Sequence, residues 1–267
     1  MDLRLKGKRA LVTGSTTGIG EAIVRRLATE GVRVVVHGLN AAQGERLLSA
    51  LRADGTEAAL ALGDLSTDAE ADQVLSLALE VFGGIDILVN NAGRFFGKPW
   101  VETDPAEWTS VYNNNVVSAV RMSRRLAPPM AERQWGRIIN IASTIGLMPD
   151  VNMAAYAATK AALHNVTVAL SRDLATRGVT VNAISPGLTN SAGIQALLRG
   201  MVQGQGWPSE PALLEQKAVT TWAPNPVGRM GRVDEVANLV AFVASPLADY
   251  INGSNLRIDG GLDPTIS

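Results

Sequence analysis

The sequence predicts an α/β fold in which a doubly wound parallel sheet of about seven strands carries helices on both faces. Short runs of apolar, β-branched residues alternate with longer amphipathic segments along the chain, as in sheets with helical crossovers. The short runs are almost continuously apolar, which is typical of strands buried on both faces. Crossovers between parallel strands are nearly always right-handed, so a doubly wound sheet is the simplest topology.

Strands and helices can be assigned in order along the chain. The strand pattern occurs in seven short runs: Arg9–Thr13, Val32–His37, Ala58–Leu62, Ile85–Val89, Arg137–Ile141, Thr180–Ile184 and Asn255–Ile258. The helical period occurs in six longer segments: Gly20–Glu30, Ala41–Ala53, Asp68–Phe82, Glu107–Leu126, Ala154–Thr176 and Val233–Ala244. We expect the paired Pro128-Pro129 to end or bend the helix before the fifth strand, because proline lacks an amide donor.

The chain is expected to form a single domain over residues 1–267. Its 267 residues, 46% of them hydrophobic, are enough for one large core, and no repeat or linker divides them. From Pro186 to Pro226 the alternation is replaced by a stretch rich in Gly, Pro, Ser and Trp. We expect one or two short helices there, near Ile194–Met201 and Ala212–Lys217, within a lid or substrate loop around residues 186–226. A tolerated surface excursion is the alternative.

Composition excludes several classes of function. There is no cysteine, so disulfides, thiolate nucleophiles and cysteine-bound zinc are ruled out. The two histidines, His37 and His164, form no metal-ligand pattern, and we expect no metal. The net charge of -1 gives no reason to expect a nucleic-acid partner. The segment Met1–Arg9 is charged, and no apolar run approaches the ~18 residues that span a bilayer, so we expect a cytoplasmic protein without a membrane partner.

The first strand runs into a glycine-rich turn, Thr13-Gly14-Ser15-Thr16-Thr17-Gly18-Ile19-Gly20, which leads straight into a helix. Glycines let the backbone turn tightly and approach a pyrophosphate, and the free amides of the following helix then face the anion. This strand–turn–helix context is the one a dinucleotide site requires, although the spacing is G-x-x-x-G-x-G. An ordinary helix start is the alternative. The candidate cofactor contacts are Gly14, Ser15, Thr17, Gly18, Ile19 and Gly20.

The end of the second strand normally distinguishes NAD from NADP. An acid there accepts from the ribose 2′-hydroxyl and repels a 2′-phosphate, whereas an arginine favours the phosphate. Here the residues are His37-Gly38-Leu39-Asn40, with neither an acid nor an arginine. His37, Asn40 and Ser15 can each hydrogen-bond a phosphate. The residues therefore indicate NAD(P) with a slight lean toward NADP, and leave the preference open.

Two further segments fit a nucleotide groove. Asp64-Leu65 follows the third strand, where a carboxylate can accept from an adenine amino group. Asn90-Asn91-Ala92-Gly93 follows the fourth strand, at the sheet edge where ligands bind, and Asn91, Ala92 and Gly93 are its candidate contacts. Structural interpretations remain open, since Asp64 can cap a helix starting near Ser66 and the second segment can be a plain turn.

A tyrosine and a lysine lie four residues apart in an alanine-rich helical segment, Tyr156-Ala157-Ala158-Thr159-Lys160. Side chains at this spacing project from one face of a helix, so a phenol and an ammonium can reach the same ligand. A free phenol has a pKa near 10. We expect the fixed cation, helped by an oxidised nicotinamide, to lower the pKa of Tyr156 and make its proton available near neutral pH.

In combination, these motifs resemble those of the single-domain short-chain dehydrogenase/reductase family, whose fold is Rossmann-like. The likeness covers Leu5 to Gly261 and rests on five motifs in the family's order: Thr13–Gly20, Asn90–Gly93, Ser143 thirteen residues before Tyr156, the Tyr156–Lys160 pair, and Pro186-Gly187. The resemblance implies that Tyr156 is the acid/base, that Ser143 positions a carbonyl, and that Lys160 binds the nicotinamide ribose.

The resemblance also implies further contacts. An asparagine completes a proton relay through water, and Asn115, followed by two valines, fits better than Asn113 or Asn114. Pro186, Gly187 and Thr189 lie by the nicotinamide. Ser143 is not expected to be a hydrolase nucleophile, because neither histidine is placed to act as its base. The family likeness further implies a homotetramer packed through Glu107–Leu126 and Ala154–Thr176.

The expected function is NAD(P)-dependent interconversion of a ketone and a secondary alcohol. Apolar candidates for the substrate pocket indicate a hydrophobic or cyclic substrate: Phe95, Phe96, Met148, Val151, Trp207 and Trp222. These residues can equally be core or interface. The alternatives are a degradative, NAD-preferring alcohol dehydrogenase and a non-catalytic dinucleotide-binding sensor or scaffold.

Overall fold

The computed structural model describes residues 1–265, and its main feature is a seven-stranded, wholly parallel sheet. The strand order is β3-β2-β1-β4-β5-β6-β9. Its strands are β1 (Arg9–Val12), β2 (Arg33–Gly38), β3 (Ala58–Leu62), β4 (Ile87–Asn90), β5 (Gly136–Ile141), β6 (Val179–Pro186) and β9 (Asn255–Ile258). The order reverses between β1 and β4, and ligands bind at the carboxyl ends of strands on either side of such a reversal.

Helices cover both faces of the sheet, as the sequence predicts. Leu27 of α1, Leu47 of α2 and Val240 of α9 pack in one apolar cluster, whereas Val74 of α3 and Met122 of α5 belong to the cluster on the other face. The helices are α1 (Gly18–Thr29), α2 (Ala41–Ala53), α3 (Asp68–Phe82), α4 (Pro105–Tyr112), α5 (Ser118–Glu132), α6 (Ala154–Asp173), α7 (Ala192–Gln205), α8 (Pro211–Trp222) and α9 (Val233–Ala244).

The long segment predicted as one helix over Glu107–Leu126 departs from a regular α-helix. A five-residue π-helix, Asn113–Val117, joins α4 to α5. A π-helix widens the turn and is frequent at functional sites, and this one contains the three candidate asparagines of the relay.

The sequence predicts that Pro128-Pro129 ends or bends this helix, and the structure contradicts the first of these outcomes. Helix α5 continues through both prolines to Glu132. Met130 and Ala131, which follow the prolines, are buried against the sheet, and this packing holds the last turn in place. The missing proline amides leave only the carbonyls of Arg124 and Arg125 without their usual helical donors, and both of these residues are exposed.

The segment around 186–226 contains two helices, α7 and α8, which are longer than the short helices predicted there. They pack around a small cluster of their own that includes Leu198, Ala218, Val219 and Met230. Two short strands, β7 (Thr189–Asn190) and β8 (Gly231–Arg232), pair in parallel where the segment leaves and rejoins the domain. In residues 1–265, no helix combines the length and the apolar character needed to cross a bilayer.

Candidate active site

The glycine-rich turn lies between β1 and α1 and faces the next segment of the groove. Gly14 has a φ of +61°, and a Cβ on it would lie 2.8 Å from the Cα of Ala92. Only glycine therefore allows the two loops to approach this closely. Helix α1 begins at Gly18, and the side chain of its N-cap, Thr17, makes no capping bond. The amides of the first helical turn are thus left for an anion.

Two adjoining cavities form one groove along the carboxyl ends of β1 to β4. The larger, of about 430 Å³, lies by β2 and β3, and the smaller, of about 220 Å³, lies between the turn and the start of α7. They share Gly14, Thr17, Ala92 and Gly93. Most of the predicted cofactor contacts line this groove: Gly14, Thr17, Gly18, Ile19, Gly20, Asn40, Asp64, Leu65, Asn91, Ala92 and Gly93.

The prediction that the side chains of Ser15 and His37 bind a phosphate does not agree with the structure. The Ser15 side chain is fully buried, and its Oγ accepts from the backbone amide of His37. The His37 ring is also buried, with Nδ1 accepting from the amide of Gly14 and Nε2 3.0 Å from the carbonyl oxygen of Gly63. Both side chains hold the backbone of the site; Ser15 lines neither cavity, whereas His37 lines the larger one with both ring nitrogens already paired.

Asn40 and Asp64 have local structural bonds and also line the groove. Asn40 is the N-cap of α2, and its Oδ1 accepts from the amide of Gln43. The Asp64 carboxylate accepts from the amide of Ser66, whereas Thr67 is the N-cap of α3. A carboxylate has room for further acceptor bonds, so the turn and the predicted adenine contact are compatible for Asp64.

Two asparagines at the end of β4, Asn90 and Asn91, hydrogen-bond to neighbouring segments. Asn90 is buried, and its Nδ2 donates to Ser123 and Asn140. Asn91 Nδ2 donates to the carbonyl oxygens of Thr13 and Gly14. The Asn91 bonds fix the loop after β4 against the glycine-rich turn, and the Asn90 bonds hold the end of β4 to α5 and β5.

Lys160 and Tyr156 lie on the same side of α6, next to this loop. Lys160 is buried, and its Nζ donates to the carbonyl oxygen of Ile141, 2.8 Å away, at the end of β5. The same Nζ lies 5.5 Å from the centroid of the Tyr156 ring and 3.8 Å from the position that a Cβ on Gly93 would take. An ammonium has three N–H donors, so Lys160 retains donors for a ligand in the groove.

The predicted lowering of the Tyr156 pKa is absent from the protein by itself. Burial raises the pKa of Tyr156 to about 12 and lowers that of Lys160 to about 8. Removal of water disfavours both charged forms, and this effect outweighs the attraction of an ammonium that donates to Ile141. The phenol is therefore protonated at neutral pH, and a second positive charge is needed to lower its pKa.

Ser143 lies two residues after the end of β5 and caps the 3₁₀ turn Thr144–Gly146. Its Oγ accepts from the amide of Ile145 at 3.3 Å and lies 3.5 Å from the carbonyl oxygen of Pro186. The second contact is long and weak, so the hydroxyl proton can turn toward a better acceptor. The residue is only half-buried, which leaves it accessible to a substrate.

The structure distinguishes the three asparagines of the π-helix. Asn115 is buried; its Oδ1 accepts from the amide of Arg94, and its Nδ2 donates to the Arg94 carbonyl oxygen and to Thr159 Oγ1. Asn113 binds Ser66 and Arg121, and Asn114 binds Ser110 in its own helix. Asn115 alone of the three contacts α6.

Sequence reasoning did not identify one residue that connects the parts of this site, Thr159. Thr159 Oγ1 donates to the carbonyl oxygen of Tyr156 and accepts from Asn115, so it joins the relay asparagine to the tyrosine's own helix turn. Its position three residues after Tyr156 was the available signal. Ser191 and Gly193, at the start of α7, also line the smaller cavity, and no sequence pattern distinguished them.

Pro186, Gly187 and Thr189 lie where β6 leaves the sheet. Pro186 is the last residue of β6, and the amide of Gly187 donates to Ile258 of β9. Thr189 is buried, and its hydroxyl donates to the carbonyl oxygen of Gly187. None of the three lines either cavity described above, so their contact with a nicotinamide stays a prediction.

Two aromatic contacts concern the predicted substrate pocket. The Phe95 ring meets that of Tyr156 edge to face, with centroids 5.4 Å apart, and Phe95 is half exposed. Trp207 and Trp222 pack against each other within the α7–α8 segment at 4.9 Å. Only the first contact reaches the candidate acid.

Residues 1–265 contain no group of three or more His, Cys, Asp or Glu side chains arranged to hold a metal.

The residues of the groove fit a dinucleotide. The two cavities together reach from the β2–β3 edge to the start of α7, and the larger alone is within the size range of small-molecule sites. Free helix amides lie at its centre, as pyrophosphate binding requires. An ammonium lies beside Gly93 at the far side of the loop.

Known proteins resemble this chain over most of its length. The family model described as short chain dehydrogenase matches residues 8–201. The chain is 34% identical over 260 residues to the 3-oxoacyl-[acyl-carrier-protein] reductase FabG of Vibrio cholerae, covering 97% of this chain and 99% of that protein.

Solved structures superpose on this chain over nearly its whole length. L-sorbose reductase from Gluconobacter frateurii, complexed with NADPH and L-sorbose, superposes with a TM-score of 0.94 at 30% identity, covering 100% of both chains. A 7α-hydroxysteroid dehydrogenase complexed with NADH and 7-oxo glycochenodeoxycholic acid has a TM-score of 0.86 at 30% identity, covering 97% of this chain and 96% of that one.

Proposed function

Because the chain belongs to the short-chain dehydrogenase/reductase family, and is an oxidoreductase acting on CH–OH and C=O groups, we propose that it reduces a ketone to a secondary alcohol with NAD(P)H. The observation that carries this proposal is the position of Lys160, whose ammonium lies 5.5 Å from the Tyr156 ring and beside Gly93 of the groove. A phenol, an ammonium and a dinucleotide groove thus meet at one place.

Bound NAD(P)H supplies the hydride that the carbonyl carbon accepts. Tyr156 donates its phenolic proton to the carbonyl oxygen, forming the alcohol O–H. The high pKa of Tyr156 in the protein alone, about 12, keeps this proton in place until the site is loaded. Tyr156 would release this proton more readily beside a second positive charge, which the oxidised nicotinamide would supply if bound next to it.

The other polar groups hold the substrate and return the proton. Ser143 donates a hydrogen bond to the carbonyl oxygen as negative charge develops on it. Lys160 would hold the ribose hydroxyls of a bound cofactor and pass a proton toward Tyr156. Asn115 fixes the backbone of Arg94 and connects through Thr159 to the turn of Tyr156, which places it to order water for the same relay.

The cofactor preference we propose, NADP, rests on Gly38 at the end of β2. A Cβ on Gly38 would lie 2.6 Å from Cγ2 and 2.9 Å from Oγ1 of Thr16. A carboxylate at this position, which would select NAD by repelling a 2′-phosphate, therefore requires the Thr16 side chain to move. Asn40 and Gln43, both uncharged, line the same end of the groove, and the acidic residue of this cavity, Asp64, follows β3 rather than β2.

A cofactor switch tests this interpretation. Gly38→Asp alone should weaken binding of NADPH and NADH together, because the new side chain displaces Thr16 and with it the glycine-rich turn. The double variant T16A/G38D should bind NADH and lose NADPH, while T16A alone keeps the original preference. Calorimetric titration of each variant gives the affinities. Strong NADH binding by the single G38D variant would show that Thr16 is no obstacle.

The proposed substrate is a hydrophobic or cyclic ketone of moderate size. Half-exposed Phe95 lies edge to face with Tyr156 and presents an apolar surface at the point where the carbonyl must sit. Oxidation of an alcohol with NAD, the second candidate, uses the same residues in reverse, and a strong NAD preference would favour it. A sensor without chemistry would bind the cofactor and turn over no substrate.

The direct experiment combines cofactor binding with turnover. Thermal unfolding with NAD, NADH, NADP and NADPH in turn should show the largest stabilisation for one reduced cofactor, since a ligand that binds the folded state raises the melting temperature. A panel of ketones and alcohols is then followed at the absorbance band of reduced nicotinamide. Stabilisation without turnover of any ketone or alcohol would favour the sensor.

A further inference from the structure

His37 is a buried histidine for which the proposed mechanism has no use. Its side chain is only 3% exposed and lies between the glycine-rich turn and the loop after β3. Histidine is seldom enclosed to this degree without a specific polar role. Both ring nitrogens of His37 have backbone partners in loops that line the groove.

The two hydrogen bonds fix the chemical form of the ring. The amide of Gly14 is a donor, so Nδ1 of His37, 3.0 Å away, must be the unprotonated acceptor. Nε2 therefore carries the proton and donates to the carbonyl oxygen of Gly63, also 3.0 Å away. The neutral Nε2–H tautomer satisfies both bonds; an imidazolium has no acceptor and must lose the bond to Gly14.

We infer that His37 is a positioning residue that locks the pyrophosphate-binding turn to the adenine end of the groove and makes cofactor affinity depend on pH. This inference rests on the proposed cofactor site. Gly14 begins the turn that faces the phosphates, and Gly63 precedes Asp64 and Leu65, which line the larger cavity. One ring thus sets the spacing between the two halves of the groove. Ser15 reinforces the link through two hydrogen bonds with the backbone of His37.

The charges around the ring set the direction of the pH effect. Burial lowers the pKa of His37, and the carboxylate of Asp64 opposes this only in part. Glu70 is the next charge on that side, with a carboxylate oxygen 2.6 Å from the amide of Asp64, while Gly14 and Ser15 on the other side are uncharged. His37 is therefore neutral at pH 7 and gains a proton only below the 6.5 of a free histidine. Cofactor affinity should fall as the pH drops through that range.

The tautomer can be measured without any cofactor. The chain has only two histidines, so a long-range ¹⁵N–¹H spectrum of the imidazoles is simple to assign with a His164→Gln sample. At pH 8 we expect the Nδ1 of His37 to show the shift of an unprotonated nitrogen and Nε2 that of a protonated one. The Nδ1–H tautomer would overturn the inference.

Variants then test the positioning role. Asparagine can accept from Gly14 with its side-chain oxygen but does not titrate, whereas phenylalanine fills the space and makes neither bond. We expect His37→Phe to raise the dissociation constant of NADP at pH 8 by about tenfold, and His37→Asn to raise it much less. Isothermal titration calorimetry measures binding directly, and circular dichroism confirms that each variant folds.

The pH dependence separates positioning from general support of the fold. Between pH 8 and pH 5 the affinity of the wild type for NADP should fall more steeply than that of His37→Asn, which retains the titration of the ligand's own phosphate and of Lys160. His164→Gln, the matched control at the other histidine, should follow the wild type. Parallel curves for wild type and His37→Asn would overturn the inference. Failure of the wild type to bind any of the four nicotinamide cofactors at pH 8 would instead contradict the proposed function.

Discussion

At the scale of single residues, the buried ammonium of Lys160 lowers the free energy of unfolding, although the proposed function requires it. Its pKa is lowered to about 8 from 10.5, so between these values the folded chain binds fewer protons than the unfolded chain. Stability therefore rises with pH across this window and is lost as the pH falls through 8. At pH 7 the folded protein bears the full cost of burying the charge, and only the bond to Ile141 offsets it.

Replacement of this ammonium should stabilise the protein. We expect Lys160→Met to raise the free energy of unfolding at pH 7 by about 1–3 kcal/mol. The substitution removes the cost of burying the ammonium charge, which exceeds the loss of one hydrogen bond. The gain should shrink at pH 9.5. Urea denaturation at both values measures it, with Lys98→Met, at a lysine outside the groove that pairs with Glu107, as the control that shows no such gain. A less stable K160M at pH 7 would contradict the assignment.

Predictions about single residues agreed with the structure where they depended only on local spacing along the chain. The four-residue spacing of Tyr156 and Lys160 was sufficient to place both on one side of α6. His37 shows the limit: a histidine beside a predicted phosphate site looks like a ligand, and only the burial of its ring between two backbone partners shows otherwise. The raised pKa of Tyr156 likewise depends on three-dimensional burial, which spacing does not encode.

At the scale of elements, strands and helices with strong periodicity were predicted closely. Helices α2, α3 and α9 and strands β3 and β9 have the predicted bounds, because their apolar periods end at clear caps or turns. Helices α7 and α8 are longer than predicted, and the helical region from Pro105 to Glu132 departs most from the predicted single helix. There, tertiary packing carries α5 through two prolines, and the π-helix shifts the register at Asn113. Propensity rules treat each segment alone and cannot weigh such packing.

The α7–α8 segment offers a test of the predicted lid. Leu198 is almost fully buried in the small cluster that joins the two helices, apart from the two large clusters that pack on the sheet. We expect Leu198→Ala to loosen this segment by cavity formation, so that limited proteolysis cuts within 189–230 and the KM for a ketone rises. The affinity for cofactor should change less than this KM, because only Ser191 and Gly193 of the segment line the groove, at the smaller cavity.

A matched substitution in the main core makes that test specific. Leu47→Ala, in the cluster shared by α1, α2 and α9, should lower the global melting temperature without exposing 189–230 to protease. If L198A behaved in the same way as L47A, the segment would be an integral part of the core rather than a separately ordered lid.

At the scale of the whole molecule, the order of the strands determines where the residues of the candidate active site lie. Reversal of strand order between β1 and β4 opens the groove, and the loops after β1, β4 and β5 bring Gly14, Gly93 and Ser143 to the same edge of the sheet. Alternating apolar runs were enough to predict this architecture. The homotetramer remains a prediction, since apolar faces on α4 to α6 suit burial within one chain or between chains, and sedimentation would measure it.

The central claim is that Tyr156 supplies the proton in a reduction for which the groove holds the cofactor. Its most direct test is Tyr156→Phe, compared with the wild type in two measurements: NADPH binding by nicotinamide fluorescence and turnover of a ketone that the wild type reduces. We expect binding to be retained and turnover to fall by about 10²–10⁴-fold. Substantial ketone reduction by the phenylalanine variant, with NADPH bound normally, would contradict the account.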